Sequence, residues 1–454
     1  MRPLPGIRPD IRIVLWLFFT TQFAISIDTW AMIVPPKLMS SKIRVRVAEA
    51  LPVAKVRGFD LRFFTAAPKP VELIQRSVVS LRPVESGALK LVFLSDKASE
   101  WNVYCQSGRI RAQRTSLDGS VVAEKTLEIK EPAVITSPAG FLKLGDKTYR
   151  EELRVHASGS FCEVVNYVDI EVYLGGVVNS EFSAKWNEDA IGAQVIAART
   201  YAAYKILQAR LSPSEPHYDL DATVRDQVYD GAEKEDPRAT RIVAKSSGVI
   251  LTAGSERAPK PIQAFYHSMC GGGTELPQNV WRGGSKPGFG RPVRCDFCKN
   301  AKKFLWNVTL GGFDIETAVR VAVASGERIP ATWFTPQALE VVKRGKLVDV
   351  QITKADQAGR VGELKTAWRL SGKNSVTTLS VSGVLFRDWI GSSVIRSTLF
   401  GIKAAGNSWR FEGRGYGHGV GMCQWGAKKM GESGYSASAI LKHYYPDAIL
   451  RKMW

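Results

Sequence analysis

Between Lys42 and Lys147 the apolar residues recur with a period of two. Ile43-Arg44-Val45-Arg46-Val47 alternates strictly, and Leu89-Lys90-Leu91-Val92-Phe93-Leu94 and Leu142-Lys143-Leu144 are shorter runs of the same kind. Successive side chains of a strand point to opposite faces, so this pattern predicts half-buried strands punctuated by Pro and Gly. Strands continue through Leu153-Arg154-Val155 and Cys162–Val168. The period then changes. Ile191, Val195, Ala198, Ala202 and Ile206 form one apolar stripe on a helix, with Asn187 as N-cap and Glu188 and Asp189 in the first turn, where the helix dipole favours acids. Residues 240–265 read as strands ending at Phe265-Tyr266-His267, and a short helix is expected between Phe313 and Ala324. Strands return from Val348 to Ile395, with a turn at Gly359-Arg360 and the run Val376–Val381. Helices at Gln424–Glu432 and Ser436–Tyr445 follow, the second stopped by Pro446. The mixture predicts an α+β fold, mainly antiparallel sheet with packed helices, plus a β-rich N-terminal region.

With 454 residues the chain can bury two packed units. Lys and Arg number 62 against 43 Asp and Glu, a net charge of +19 that suits a polyanionic partner, nucleic acid or an acidic surface polymer. The basic residues are scattered, without a helix-turn-helix, zinc-finger or RNA-binding signature, so charge alone leaves the partner open. The N-terminus narrows it. Arg2, Arg8 and Arg12 flank the apolar run Ile13-Val14-Leu15-Trp16-Leu17-Phe18-Phe19, which leads to a small-residue site at Ala24-Ile25-Ser26. Residues 1–27 therefore read as a secretory signal peptide or an N-terminal anchor. The expectation is an exported protein of the periplasm or cell envelope, which argues against nucleic acid as partner.

A second pattern lies near the C-terminus. In Gly413-Arg414-Gly415-Tyr416-Gly417-His418-Gly419-Val420-Gly421-Met422 glycine alternates with larger residues. An extended chain would carry Arg414, Tyr416, His418, Val420 and Met422 on one face and bare backbone on the other. Such a face lets something approach the main chain, either another segment or a flat ligand such as a sugar ring. Nucleotide loops do not fit, because no Gly-Lys-Ser/Thr follows and His418 and Val420 stand where the last glycine of a G-x-G-x-x-G would fall.

The cysteines form another constellation. His267-x₂-Cys270 and Cys295-x₂-Cys298 are separated by 24 residues, a spacing that can hold a structural zinc ion with one nitrogen and three sulfur ligands. In an oxidising compartment Cys270 could instead pair with Cys295 or Cys298. Cys105, Cys162 and Cys423 read as small buried apolar residues. Glu181 follows the apolar run Leu174–Val178 and is flanked by Phe182 and Trp186. That setting raises a carboxyl's pKa toward the range of a general acid, while the N-terminus of the downstream helix opposes it.

Gly413–Ala427, with its Cys423-Gln424-Trp425-Gly426 continuation, resembles the C-terminal signature of the stage II sporulation protein D / amidase-enhancer (SpoIID/LytB) family. Tyr173–Glu181 leading into Ala193–Ala202 resembles the family's central motif. Asp226–Tyr229, Phe265–Ser268 with Gly271-Gly272, and Tyr444-Tyr445-Pro446 are similar in turn. The resemblance is weak before Tyr149 and patchy between Thr309 and Val350. It divides the chain into a β-rich region at 28–148 and a SpoIID-like domain at 149–454, with 309–350 as a poorly matched insertion. It implies a peptidoglycan lytic transglycosylase, a carbon–oxygen lyase acting on peptide-free glycan strands with Glu181 as its single acid/base and no cofactor in catalysis. Gln194, Arg199, Gln227, Tyr229, His267 and Gln424 match family positions and are expected to form the cleft or touch substrate. His418 would bond a sugar hydroxyl, orient Glu181 or tie a loop together, and Tyr416 and Trp425 would stack on sugars or fill core. The alternative is a non-catalytic wall-binding protein that stimulates an N-acetylmuramoyl-L-alanine amidase.

Overall fold

The computed structural model describes residues 41–58, 61–66, 89–94, 99–106, 108–115, 121–214, 216–281, 285–326 and 329–454. The leader expected at 1–27 lies outside them. The architecture is α+β with mostly antiparallel sheets. The first strands are β1 (Lys42–Leu51), β2 (Ala54–Gly58), β3 (Arg62–Ala66), β4 (Leu89–Leu94), β5 (Ser99–Gln106), β6 (Arg109–Thr115), β7 (Val121–Lys130), β8 (Ala133–Leu144), β9 (Lys147–Ser158) and β10 (Phe161–Asp169). Helices α1 (Ile170–Glu181) and α2 (Glu188–Leu211) follow, and β11 (Leu220–Asp221) returns to the sheet. The order is β11-β1-β10-β9-β8-β2-β5-β6-β7, with β3 branching from β8 and β4 beyond it. β11 runs parallel to β1, and the other pairs are antiparallel.

The alternation of β1 does what its chemistry dictates. Ile43 and Val45 are fully buried against one face. Arg44 and Arg46 on the other face pair with Asp219 at 2.7 Å and Asp221 at 2.8 Å, which fastens β11 to the sheet edge. Cys105 of β5 and Cys162 of β10 form a disulfide rather than two isolated apolar side chains. Their spacing in sequence carries no trace of this, because the pairing depends on which strands the sheet brings together.

Asn187 caps α2 as expected, its Oδ1 accepting from the Asp189 N–H at 2.8 Å. The helix has more than one apolar stripe. Ile191, Val195, Ala198 and Ala202 face the core beneath the sheet, while Ala193, Ile196 and Ala197 face a second core on the opposite side. A helix apolar on most of its circumference is a central one. Around it lie α3 (Pro237–Lys245), β12 (Val249–Ala253), β13 (Lys260–Pro261), β14 (Tyr266–His267) and α4 (Pro277–Val280). The strand expected from residue 240 thus begins as α3, which Asp236 caps through the N–H groups of Arg238 and Ala239 with Pro237 in the first turn.

A third core belongs to residues 305–414 alone. It is built from β15 (Leu305–Gly311), α5 (Gly312–Ser325), α6 (Pro336–Arg344), β16 (Lys346–Ala355), β17 (Val361–Arg369), β18 (Val376–Ser382), α7 (Gly383–Ile390), β19 (Phe400–Ala405) and β20 (Ser408–Arg414). Helix α7 interrupts the strands expected over Val348–Ile395, with the Ser382 hydroxyl capping Leu385 N–H. The chain then returns to the second core through β21 (Met422–Cys423), α8 (Gln424–Glu432), α9 (Ala437–Tyr444) and β22 (Ile449–Lys452). Among the described residues no helix is long and apolar enough to cross a membrane.

Candidate active site

Glu181 is the last residue of α1. Asp169 starts that helix by accepting the Glu171 N–H at 2.9 Å, and Phe182 ends it in an extended conformation. The carboxyl therefore sits at the negative end of the α1 dipole, which disfavours its charge, a different relation from the downstream positive end that the sequence suggested. Gly176 lets the helix come close enough to be useful. A Cβ there would lie 2.7 Å from the Gly231 carbonyl and from the Tyr229 ring. That close approach brings α1 to the 227–231 segment, where the Val228 N–H donates to Glu181 Oε1 at 2.7 Å. Burial raises the carboxyl above its ordinary pKa, while the Val228 N–H and the Gln424 side chain pull it part of the way back. The Gln424 amide also donates to the main-chain carbonyl of Glu181 at 3.4 Å.

Behind Glu181 lies a chain of neutral donors. Tyr173 Oη donates to Gln227 Oε1 at 3.0 Å, and Gln227 Nε2 donates to Tyr266 Oη at 3.0 Å and to the Ala198 carbonyl at 3.3 Å. Burial first, and then neighbouring phenols and the charge of Glu181, push Tyr173 and Tyr266 well above their usual range. Tyr229 donates to Asn166 Oδ1 at 3.0 Å, and Asn166 holds the carbonyls of Arg150 and Glu152. Gln227 and Tyr229 are thus buried framework beneath the carboxyl rather than groups exposed to a ligand.

Arg199, expected at a cleft edge, is fully buried. Its guanidinium holds Glu171 at 2.6 Å and donates to the carbonyls of Val243 and Val249. It ties the start of α1 to α3 and β12. Gln194 is equally buried, and neither end of its amide has a hydrogen-bond partner among the described residues.

The glycine segment is not a plain strand with an open face. Gly415, Gly417, Gly419 and Gly421 all have positive φ, between 71° and 111°. A Cβ at Gly421 would lie 2.0 Å from the Phe265 carbonyl, and one at Gly417 would lie 2.9 Å from His267 Cβ. The bare backbone is thus covered by the chain's own 265–271 segment, the first of the two occupants the sequence allowed, and not by an open floor for a sugar ring. His418 serves this packing. Its Nε2–H donates to the Tyr266 carbonyl at 3.0 Å, and its Nδ1 accepts the Val420 N–H at 3.1 Å. Both nitrogens are taken by main chain, so His418 locks the loop and has no bond left for Glu181. Burial lowers its pKa well below the usual value, which keeps it neutral. His267 donates Nδ1–H to the Val420 carbonyl at 3.0 Å and is pushed down to about 4 by burial. Tyr416 exchanges main-chain bonds with Met269, and the Arg396 guanidinium lies 5.8 Å from its ring.

The surface beside Glu181 is aromatic and basic. Phe182 packs on Trp186 at 4.1 Å, and Trp186 meets Trp425 edge-on at 5.2 Å. The Lys428 ammonium lies 5.5 Å and 5.3 Å from those two indoles. Both indoles are half-buried, which leaves edges for a ligand. Two surface cavities, one lined by Leu305, Phe400 and Arg414 and one by Tyr104, Arg109 and Glu128, do not include Glu181 in their walls. Other acidic groups near this part of the chain are already engaged. Asp226 binds Tyr201 and Lys205, Glu171 binds Arg199, and Asp189 accepts the Ala437 N–H.

The sequence also placed Cys270, Cys295 and Cys298 together, and the structure does so with a different fourth member. Cys423 joins them, all four thiol sulfurs lying within 4.8 Å of one another, while His267 is absent from the group because its ring faces the glycine segment. Val228, Tyr173 and Tyr266 were missed as groups around Glu181. Val228 acts through its main chain, which no side-chain pattern reveals, and the two tyrosines stand inside or beside the quoted motifs.

The family model described as stage II sporulation protein, SpoIID, matches residues 158–253, which contain Glu181, Gln194, Arg199, Gln227 and Tyr229. An uncharacterised protein of Brachyspira hyodysenteriae is 30% identical over 317 residues, 70% of this chain and 75% of that one. The amidase enhancer of Bacillus subtilis is 28% identical, and the match spans 61% of this chain but 40% of the relative. The stage II sporulation protein D of Bacillus amyloliquefaciens is 27% identical, with 62% of this chain and 74% of the relative covered.

Proposed function

Because the chain belongs to the stage II sporulation protein D / amidase-enhancer family, we propose that it is an exported lytic transglycosylase. Its substrate is the glycan strand of peptidoglycan stripped of stem peptides, cut between N-acetylmuramic acid and N-acetylglucosamine. The observation that carries this reading is Glu181, a carboxyl raised above its ordinary pKa and fixed through one oxygen by the Val228 N–H.

An oxygen that accepts an N–H is not the one that bears the acid proton, so Oε2 carries it. Glu181 Oε2 donates this proton to the bridging 4-oxygen as the bond to the anomeric carbon breaks. The muramic 6-hydroxyl then attacks that carbon, and Glu181 takes the 6-hydroxyl proton, which returns the acid to its starting state. The product is an anhydromuramic end, formed without water. Hydrolysing glycosidases normally need two carboxyls, whereas this intramolecular route needs one. The engagement of Asp226, Glu171 and Asp189 in structural bonds agrees with a single-carboxyl site. Trp186 and Trp425 offer exposed apolar edges against which a sugar ring can lie, and Lys428 stands over both indoles for the lactyl carboxylate of muramic acid. Export accords with the Cys105–Cys162 disulfide, which persists in an oxidising compartment.

Mass spectrometry of peptide-free glycan strands digested by the purified chain tests the reading. Anhydromuramic products are expected from the parent and not from Glu181→Gln. The relative named amidase enhancer supports a second reading, in which the same aromatic surface binds glycan without cutting it and speeds an amidase. In that case no product forms with the chain alone, and amidase turnover rises when the two are mixed.

A further inference from the structure

Of the six cysteines, two form the disulfide and the other four converge at one buried point. From this convergence we infer that Cys270, Cys295, Cys298 and Cys423 bind one zinc ion as a tetrathiolate staple that seats the N-terminus of α8 beside Glu181. Three separate stretches of chain supply the sulfurs, and one structural metal would join them at a single point of the second core.

The geometry fits that ion. Zinc–sulfur bonds of about 2.3 Å in a tetrahedron require sulfur–sulfur edges of about 3.8 Å. The four sulfurs all lie within 4.8 Å of one another, and Cys270 and Cys298 are 3.5 Å apart. Each of the four residues is at most 1% exposed. Room is kept for them by Gly426, where a Cβ would lie 3.0 Å from Cys295 Sγ and 3.2 Å from Cys423 Sγ.

The surroundings suit thiolates. The N–H groups of Cys270 and Gly426 both point at Cys423 Sγ, each at 3.3 Å, and Tyr444 Oη lies 3.1 Å from Cys295 Sγ. Cys423 is the N-cap of α8, where the helix dipole favours negative charge. Zinc with four thiolates keeps a net charge of −2, which needs an offset in a buried place. Arg360, only 4% exposed, donates through Nη2 to the carbonyls of Cys270 at 2.8 Å and Gly273 at 2.9 Å, and so brings a guanidinium, shared with Glu275 at 3.7 Å, to the loop. Donors aimed at metal-bound sulfur orient the ligands and tune affinity.

The staple reaches the candidate active site through one peptide bond. Gln424 follows Cys423, and its amide contacts Glu181. In register, Tyr266 pairs with Met422 and His267 with Cys423, so the same anchor fixes the strand that presents Tyr266. This catalytic consequence rests on the reading of Glu181 as acid/base, whereas the binding of zinc does not.

The test uses the full chain purified without chelator. Elemental analysis is expected to give one zinc per chain. Thiol titration in denaturant is expected to find four thiols that react only after a chelator is added. Exchange of zinc for cobalt(II) should give the intense visible bands of a tetrahedral thiolate centre. Cys423→Ser should weaken zinc at least about tenfold in a chelator competition, with unchanged far-ultraviolet circular dichroism. Should that variant not fold, the cobalt spectrum and thiol count of the parent decide alone. Two disulfides among these four cysteines in folded, metal-free protein, iron in place of zinc, or undiminished zinc affinity in a folded Cys423→Ser protein would each overturn the inference. Stoichiometric zinc without glycan cleavage leaves the staple standing and removes the transglycosylase reading, and cleavage by a zinc-free chain does the reverse.

Discussion

The Val228 N–H donates to Glu181 Oε1 at 2.7 Å, so one carboxyl oxygen is committed to the protein and the other is left to exchange a proton. Replacing Glu181 by Gln keeps an oxygen for that N–H and removes the acid. Cleavage of peptide-free glycan should fall by at least about 10² to 10⁴-fold, the range of general acid catalysis, while binding of the strands to the protein persists in a pull-down. Cleavage at the parent rate would take Glu181 out of the mechanism.

The pH dependence follows from the raised pKa of Glu181. In the proposed mechanism the acid form protonates the leaving oxygen, so the rate should decline as pH rises through the folded pKa. The Gln424 side chain pulls that pKa down, so Gln424→Ala should move the alkaline limb to higher pH. Stability has the matching sign. A carboxyl harder to ionise when folded favours the native state at low pH, and that contribution is lost between the ordinary glutamate pKa and the raised one. Thermal denaturation should therefore show Glu181→Gln gaining on the parent across that window, with a constant advantage above it. Equal melting temperatures at all pH values would contradict the burial of this charge.

Arg199→Met separates a framework role from contact with substrate. The change leaves Glu171 without its partner, and breaking a buried ion pair costs about 3–5 kcal/mol. Because Glu171 keeps some exposure, a loss near about 3 kcal/mol is expected in urea unfolding. The half-saturating glycan concentration of the folded fraction should stay unchanged, and a rise in it with parental stability would put Arg199 in the cleft after all.

Gly421→Ala tests the packing of the glycine segment. The position has a φ of 71°, and the new Cβ would meet the Phe265 carbonyl at 2.0 Å. Gly434 has a φ of 85° with nothing within 4 Å, so alanine there costs only the conformational penalty of about 1–2 kcal/mol. Gly421→Ala should be destabilised well beyond that control in chemical denaturation, and equal losses would mean that Phe265 gives way freely.

Local rules made much of this molecule readable. Period-two alternation placed β1, and Asn187 announced the helix it caps. Where the sequence left alternatives open, a long-range contact decided. The glycine repeat looks like an open strand until the 265–271 segment covers it, and His418 looks like a ligand until both its nitrogens meet main chain. Helix α3 was missed because its short apolar face read as strand, although Asp236-Pro237 marked its start. Cys423 stood alone in sequence and acquired three neighbours only through the pairing of β14 with β21.

Residues 305–414 leave and rejoin the rest at a single doorway, since Leu305 and Arg414 are partners in the first rung of the β15–β20 ladder. A lobe entered in this way could be shortened or exchanged with little disturbance at its base, were it not for Arg396, whose carbonyl accepts the Gly417 N–H at 2.8 Å, and for Arg360. Arg360 reaches back to the carbonyls of Cys270 and Gly273, so the lobe is bolted to the thiol cluster, and any replacement would have to bring its own cation.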